Sequence, residues 1–344
     1  LLLFKVKKAL ENQTLKNKIE QLIKNDDDFN FVHESIVTSK LKNLIEKISK
    51  TESFVLLSGP PGSGKEVIAR LIHKQSNRSK NLFRIINCAN LETVTFERKL
   101  FGIEKDNGEI IKGILEECNG GTILLDQIED MPLNTQGRII GFLEEQKFSR
   151  VGGIKNLETN IRIISSTKTN LEEYIKTNQF REDLYFKLNV IPINVPPLQD
   201  RKEDIKTLVE VFSKDFITKN NFKLKVFSED SISFFKRIKL NGNVRQLKNL
   251  IEWILILLSE ENDSIINLND IPHEVRSQFS PEMVLDNYED ISMREARDKF
   301  EKKFLEKSLK KYDFNINKVA NVVKMERTAL YRKLKSLNIE IHKK

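Results

Sequence analysis

Cysteine, histidine and long apolar runs are all scarce in this 344-residue chain, and each scarcity excludes something. Two cysteines, Cys88 and Cys118, cannot frame a disulfide scaffold; they point to a reducing, cytoplasmic setting with both thiols buried. Four histidines, scattered without ligand spacing, leave no zinc site. No apolar run approaches the roughly 20 residues that a membrane span needs. The longest, at 254–258, reads as a helix core, so no membrane partner is expected. The chain opens Leu1-Leu2-Leu3-Phe4-Lys5, without Met and with too few apolar residues for a signal peptide, and reads as the continuation of a longer protein. Charge, by contrast, is plentiful. Charged residues make up 31% and hydrophobic residues 39%, a globular balance, and the length favours two or three domains.

The net charge of +8 is unevenly distributed. Residues 291–344 hold 16 Lys or Arg against 7 Asp or Glu, while the rest of the chain is close to neutral. Such concentration suits a phosphate-backbone partner. Hydrophobic spacing divides the chain further. Residues 1–27 carry Leu10, Leu15, Ile19, Leu22 and Ile23 on one helical stripe, either a coiled-coil element or a single helix packed on the next domain. Apolar strands then alternate with helical stretches over 28–200, the signature of an α/β sheet with crossovers. Residues 201–260 read as three helices, at 204–219, 228–236 and 244–259. The polar stretch 261–290, with Pro272 and Pro281, reads as a linker, and 291–344 as a small all-α domain.

The run Gly59-Pro60-Pro61-Gly62-Ser63-Gly64-Lys65-Glu66 lies between an apolar strand at 54–57 and a helical stretch at 67–72. Strand, glycine-rich turn and helix are the context of a phosphate-binding P-loop. The glycines let successive N–H groups point at phosphate oxygens, the helix N-terminus adds partial positive charge, and Lys65 reaches the terminal phosphates. ATP with magnesium is therefore the expected cofactor. Downstream, Thr122-Ile123-Leu124-Leu125-Asp126 is a second apolar strand, expected to lie beside the P-loop strand. Asp126 would hold magnesium through its water shell. ATP-hydrolysing proteins usually follow this Asp with a Glu that deprotonates the attacking water; here the residue is Gln127, which cannot accept that proton. Loss of a general base costs about 100- to 10,000-fold in rate.

In the basic tail, a helix at 294–311 precedes two shorter ones at about 317–323 and 326–337. Leu330, Leu334 and Leu337 would face inward, leaving Arg327, Thr328, Tyr331, Arg332 and Lys335 on the outer face. The pattern predicts a helix-turn-helix whose second helix enters the major groove. The alternative is a basic helical hairpin with no nucleic-acid role.

Taken together, these motifs resemble the sigma-54-dependent response regulators of the nitrogen-regulation family, most closely its NtrX-like branch. The resemblance rests on GPPGSGKE, LFGIEK at 100–105, CNGGTILLDQIEDMPL at 118–133, FSRVGG at 148–153, FREDLYFKLNVIPI at 180–193, PPLQDRKEDI at 196–205, GNVRQL at 242–247 and MERTALYRKLKSL at 325–337. It implies an AAA+ P-loop domain with a helical lid and a Fis-type helix-turn-helix, with residues 1–27 ending a receiver domain and its linker helix. A sensor histidine kinase acting on that receiver, promoter DNA, RNA polymerase and a homo-oligomer, dimer or hexameric ring, are the implied partners. Arg245 matches the family's nucleotide-sensing lid arginine. Arg181 matches an arginine offered to the neighbouring subunit, and Lys187 replaces a second one, losing the planar guanidinium fork. Lys168 stands where Asn is usual in the polar sensor pair. The family's GAFTGA loop, which engages the sigma factor, is replaced after Lys105 by Asp106-Asn107-Gly108-Glu109-Ile110-Ile111-Lys112, without its Phe and Thr. The expected function is a DNA-binding regulator whose ATP-bound domain serves mainly for assembly. The alternative is an ATP-hydrolysing activator of sigma-54 polymerase.

Overall fold

The computed structural model describes residues 31–89 and 93–259, most of 264–276, and parts of 292–339. The helix expected over 1–27 lies outside them.

Helix α1 (Ile36–Ser49) is capped by Ser35, whose Oγ accepts from the Thr38 N–H at 3.2 Å, and it turns Leu41, Ile45 and Ile48 inward at helical spacing. Its other end is held by a fully buried arginine. The two terminal nitrogens of Arg162 each donate to a carbonyl, of Ser49 and of Ile48, at 2.9 Å. Both carbonyls lie in the last turn, whose oxygens lack partners within the helix; that of Ile48 also accepts from the Thr51 N–H at 3.0 Å and hydroxyl at 2.8 Å. The chain continues through β1 (Val55–Ser58), α2 (Lys65–Lys74), β2 (Phe83–Asn87), α3 (Thr93–Phe101), a short hairpin of β3 (Gly102–Glu104) and β4 (Ile110–Lys112), and α4 (Ile114–Glu117). Then come β5 (Thr122–Asp126), α5 (Leu133–Glu145), the hairpin β6 (Lys147–Ser149) and β7 (Asn156–Glu158), β8 (Arg162–Thr167), α6 (Leu171–Lys176), α7 (Glu182–Leu188) and β9 (Ile191–Asn194).

Five strands form one parallel sheet in the order β2-β5-β8-β1-β9. Side-chain alternation divides the core between its faces. Leu56, Ile123, Leu125 and Ile163 pack with Phe96, Phe101 and Phe142 on one side; Val55, Leu57, Leu124 and Ile164 pack with Ile45, Ile68 and Ile72 on the other. The expected adjacency of β5 to the P-loop strand does not hold, because β8 is inserted between them. All six residues of β8 are buried, as a central parallel strand requires. The insertion puts the end of β8 between the P-loop and Asp126: the Gly59 N–H donates to the Thr167 carbonyl at 3.3 Å, and Ser166 bonds Asp126.

The lid consists of α8 (Asp204–Asn220), α9 (Glu229–Arg237) and α10 (Asn243–Leu257), close to the three expected helices. A two-stranded parallel pairing joins β10 (Val226–Phe227) to β11 (Ile265–Ile266). Ile266, Ile271 and Val275, all in the stretch whose composition suggested a linker, are buried.

Residues from Ser280 onward form a separate compact unit. In it, α11 (Ile316–Val322) and α12 (Arg327–Ser336) close on Leu305, Leu309, Val319, Leu330, Leu334 and Leu337. The helix expected over 294–311 is described only in part. Among the described residues, no helix is long and apolar enough to cross a membrane.

Candidate functional site

The turn between β1 and α2 is built from glycines in conformations that other residues rarely adopt. Gly62 has φ +72° and Gly64 φ +99°. A Cβ on Gly62 would come within 2.1 Å of the Gly242 carbonyl oxygen, so close approach of the lid also requires glycine there. The ammonium of Lys65 folds over the loop and donates to the carbonyls of Gly59 at 2.7 Å and Pro60 at 3.2 Å. Ser63 is buried, and its Oγ has no hydrogen-bond partner. Glu66 points away, paired with Arg70 at 3.0 Å one turn along α2.

Lys65 is where the charges of this region converge. Burial lowers its pKa, while the carboxylates of Asp126 and Glu129 oppose that shift and the cations of Arg245 and Lys168 add to it. The P-loop, Asp126 and the lid arginine, far apart in sequence, thus share one electrostatic site. Asp126 accepts a short hydrogen bond from the Ser166 hydroxyl at the end of β8.

Gln127 follows in a left-handed conformation, φ +56°, and its amide oxygen accepts from Nζ of Lys168 at 3.1 Å. The same ammonium donates to Asp130 at 3.1 Å, which raises its pKa. Glu129, only 4% exposed, accepts the Lys168 backbone N–H at 3.1 Å and leaves Oε2 without a partner. Glu129 carries no motif of its own. Only its burial beside the site marks it.

Among the described residues, no group of three His, Cys, Asp or Glu could cage a metal ion. The carboxylate of Asp126, close enough to Lys65 to act on its charge, is an oxygen donor that would suit a magnesium ion keeping several of its waters.

Arg181 and Lys187 lie apart from this cluster on α7. Arg181, the N-cap residue, pairs with Asp183 at 2.7 Å and is exposed, and its backbone N–H donates to Gln136 at 2.8 Å. Lys187 lies 4.0 Å from Glu144. The cysteines are buried and unpaired, and burial pushes both thiols up, Cys118 to about 11.

In place of an extended loop, β3 and β4 are joined by a tight turn. The N–H groups of Lys105 and Gly108 bond the carbonyls of Glu109 and Lys105 at 3.0 and 2.8 Å, with Gly108 at φ +80°. Ile110 and Ile111 remain exposed on β4.

In the terminal unit, Leu330 and Leu334 are fully buried, whereas Arg327, Thr328, Tyr331 and Arg332 are exposed together on α12. The guanidinium of Arg327 lies 5.9 Å from the Tyr331 ring centroid. The side chain of Lys335 is outside the described residues.

Comparison with known proteins agrees with this architecture. Residues 31–194 match the family described as Sigma-54 interaction domain, 199–286 the AAA+ ATPase lid domain, and 296–337 the Bacterial regulatory protein, Fis family. The nitrogen assimilation regulatory protein NtrX of Azorhizobium caulinodans is 38% identical over 337 residues, which cover 96% of this chain and 74% of that protein. The crystal structure of NtrX from Brucella abortus is similar at a TM-score of 0.72 and 38% identity, covering 98% of this chain and 74% of its own. The same protein in complex with ATP matches at a TM-score of 0.69 and 37% identity, over 97% of this chain and 74% of that one. With a P-loop sheet, a helical lid and a Fis-type helix-turn-helix in that order, this chain belongs to the NtrX-like branch of the sigma-54-interaction-domain response regulators.

Proposed function

We propose that this chain regulates transcription by binding promoter DNA through α12, and that its AAA+ unit binds magnesium-ATP chiefly as a signal for assembly. The observation that carries the reading is the pair Gln127 and Lys168. The position next to Asp126 has no proton acceptor, and a neighbouring ammonium occupies its amide oxygen at 3.1 Å. Nucleotide binding is supported by the P-loop geometry and by the ATP complex of the Brucella relative. In this reading Gly59 to Lys65 cradle the phosphates, Asp126 holds magnesium through water, and Arg245 reports the nucleotide from the lid. Arg181 and Lys187 would face a neighbouring copy in a dimer or ring, and Lys187 supplies charge without a fork. Phosphorylation of a receiver domain by a sensor kinase would then control assembly, with RNA polymerase as the downstream partner.

Purified protein should bind ATP with magnesium yet release phosphate at most slowly, even at concentrations that favour oligomers. Brisk turnover by the unaltered chain would favour the second reading, an ATP-driven activator of sigma-54 polymerase, which the matched Sigma-54 interaction domain keeps in view.

A further inference from the structure

Three consecutive carbonyls of the P-loop are held from the lid side. The Asn243 amide nitrogen donates to the Pro61 carbonyl at 2.9 Å, the Val244 backbone N–H donates to the Gly62 carbonyl at 3.0 Å, and the buried guanidinium of Arg201 donates to the Ser63 carbonyl. Asn243 is itself fixed, because its side-chain oxygen accepts the Leu198 N–H at 2.8 Å. It is 3% exposed and takes φ +51°, a left-handed turn just where α10 begins. Asp204, one turn beyond Arg201, accepts from the Ser35 N–H at 2.7 Å and the Thr38 hydroxyl at 3.1 Å, so this segment is also anchored to α1.

A peptide unit whose carbonyl is turned outward turns its N–H inward. Holding the carbonyls of residues 61–63 from outside therefore fixes a curl in which the Ser63 N–H closes on the Pro60 carbonyl at 3.2 Å while the N–H groups of Gly62 and Gly64 turn toward a phosphate, together with the N-terminal amides that α2 leaves without internal partners.

We propose that Asn243 and Arg201 are positioning residues that lock the P-loop in its phosphate-accepting curl, coupling the seating of the lid to nucleotide binding. The inference rests on the nucleotide-binding reading above for its binding consequences, but the clamp itself does not depend on it. Because the contacts are to loop carbonyls shared by all phosphate chains, the clamp acts on ATP and ADP alike. Arg245, also on α10, would instead act on the nucleotide directly.

Two substitutions separate the clamp from fold effects. Asn243→Gly keeps the left-handed turn without strain and deletes the side-chain bonds to Leu198, Pro61 and Asn241. Asn243→Asp keeps the acceptor for the Leu198 N–H but turns a carboxylate oxygen toward the Pro61 and Asn241 carbonyls where the amide nitrogen had donated. In the full chain without nucleotide, both variants should speed hydrogen exchange of the amides at 62–66 by more than that of β5, and by more than any fall in the thermal unfolding midpoint accounts for. Fluorescently labelled ATP and ADP should each bind about two- to tenfold more weakly to both variants, and by the same factor for the two nucleotides in the uncharged Asn243→Gly. Arg201→Met, which removes a charged donor, should lower both affinities by about tenfold or more.

Unchanged loop exchange in Asn243→Gly would overturn the clamp, as would a loss confined to ATP, which would mean a γ-phosphate contact instead. If the unaltered chain bound neither nucleotide, the nucleotide reading would fail, and loop exchange would still decide the clamp.

Discussion

Gln127 and Lys168 form a pair whose chemistry neither residue has alone. A glutamine at 127 is neutral and cannot take a proton, and the ammonium 3.1 Å away supplies positive charge where a proton acceptor would have to work. A new carboxylate at 127 would be captured by that ammonium, and an ion pair lowers carboxylate basicity. Gln127→Glu alone should therefore raise phosphate release only modestly, though more than any other single change. Gln127→Glu with Lys168→Asn should exceed it by about tenfold or more, within the range a general base contributes. Phosphate-release assays on the two variants side by side check this, and equal rates would show that Lys168 does not restrain the carboxylate.

The elements owe their placement to a few polar anchors. Helix α1 ends on the guanidinium of Arg162, which is buried in the sheet and satisfies two carbonyls at once. Arg162→Ala should cost about 2–3 kcal/mol of stability, since buried acceptors lose a charged donor. A denaturant titration measures it, and a loss under about 0.5 kcal/mol would mean that water replaces the guanidinium. In α12 the buried leucines fix the helix's rotation, so the opposite face is committed to solvent or to a partner. Arg332→Ala in the full chain should weaken promoter binding and reduce the salt slope by about one if the contact is to phosphate. Arg327→Ala should change sequence preference more than overall affinity if that side chain reaches a base edge, and Tyr331→Ala, which removes the ring whose centroid lies 5.9 Å from that guanidinium, should share the effect. Anisotropy titrations on matched and scrambled DNA separate these cases. Indifference to all three substitutions would leave α12 a purely structural helix.

At the scale of the whole molecule, the nucleotide unit and the DNA-binding unit are separate bodies with different charge. The terminal 54 residues, which lie within the body that starts at Ser280, hold 16 Lys or Arg against 7 Asp or Glu, and everything before those 54 is nearly neutral. Attraction to DNA is thereby confined to one end of the chain. The stretch where the family resemblance expects the sigma-contacting loop folds as the short β3–β4 hairpin, whose turn closes through the Lys105 and Gly108 backbone bonds. Without the Phe and Thr of the family's loop, the chain should fail to drive open-complex formation by sigma-54 polymerase with ATP in vitro. It should act instead at promoters read by the housekeeping polymerase. Reconstituted transcription with both polymerases tests this, and ATP-dependent sigma-54 transcripts would reverse the ranking of the two functional readings.

Local chemistry was enough to place the glycine-rich turn between a strand and a helix, Asp126 at a strand end, three helices over 201–260 and, apart from Lys335, the exposed face of α12. Each depends on spacing within a few residues, where glycine permissiveness, side-chain period and donor or acceptor type are legible directly. The strand order was not legible. Placing β5 beside β1 overlooked that the most completely buried strand, β8, takes the centre of a parallel sheet. The partners of Lys168, the burial of Glu129 and the clamp on the P-loop were decided by that topology and by the docking of the lid. Lys168 meets Gln127 across 41 residues of sequence and Asn243 meets Pro61 across 182. No periodicity spans such separations, because only tertiary packing brings those groups within hydrogen-bonding reach.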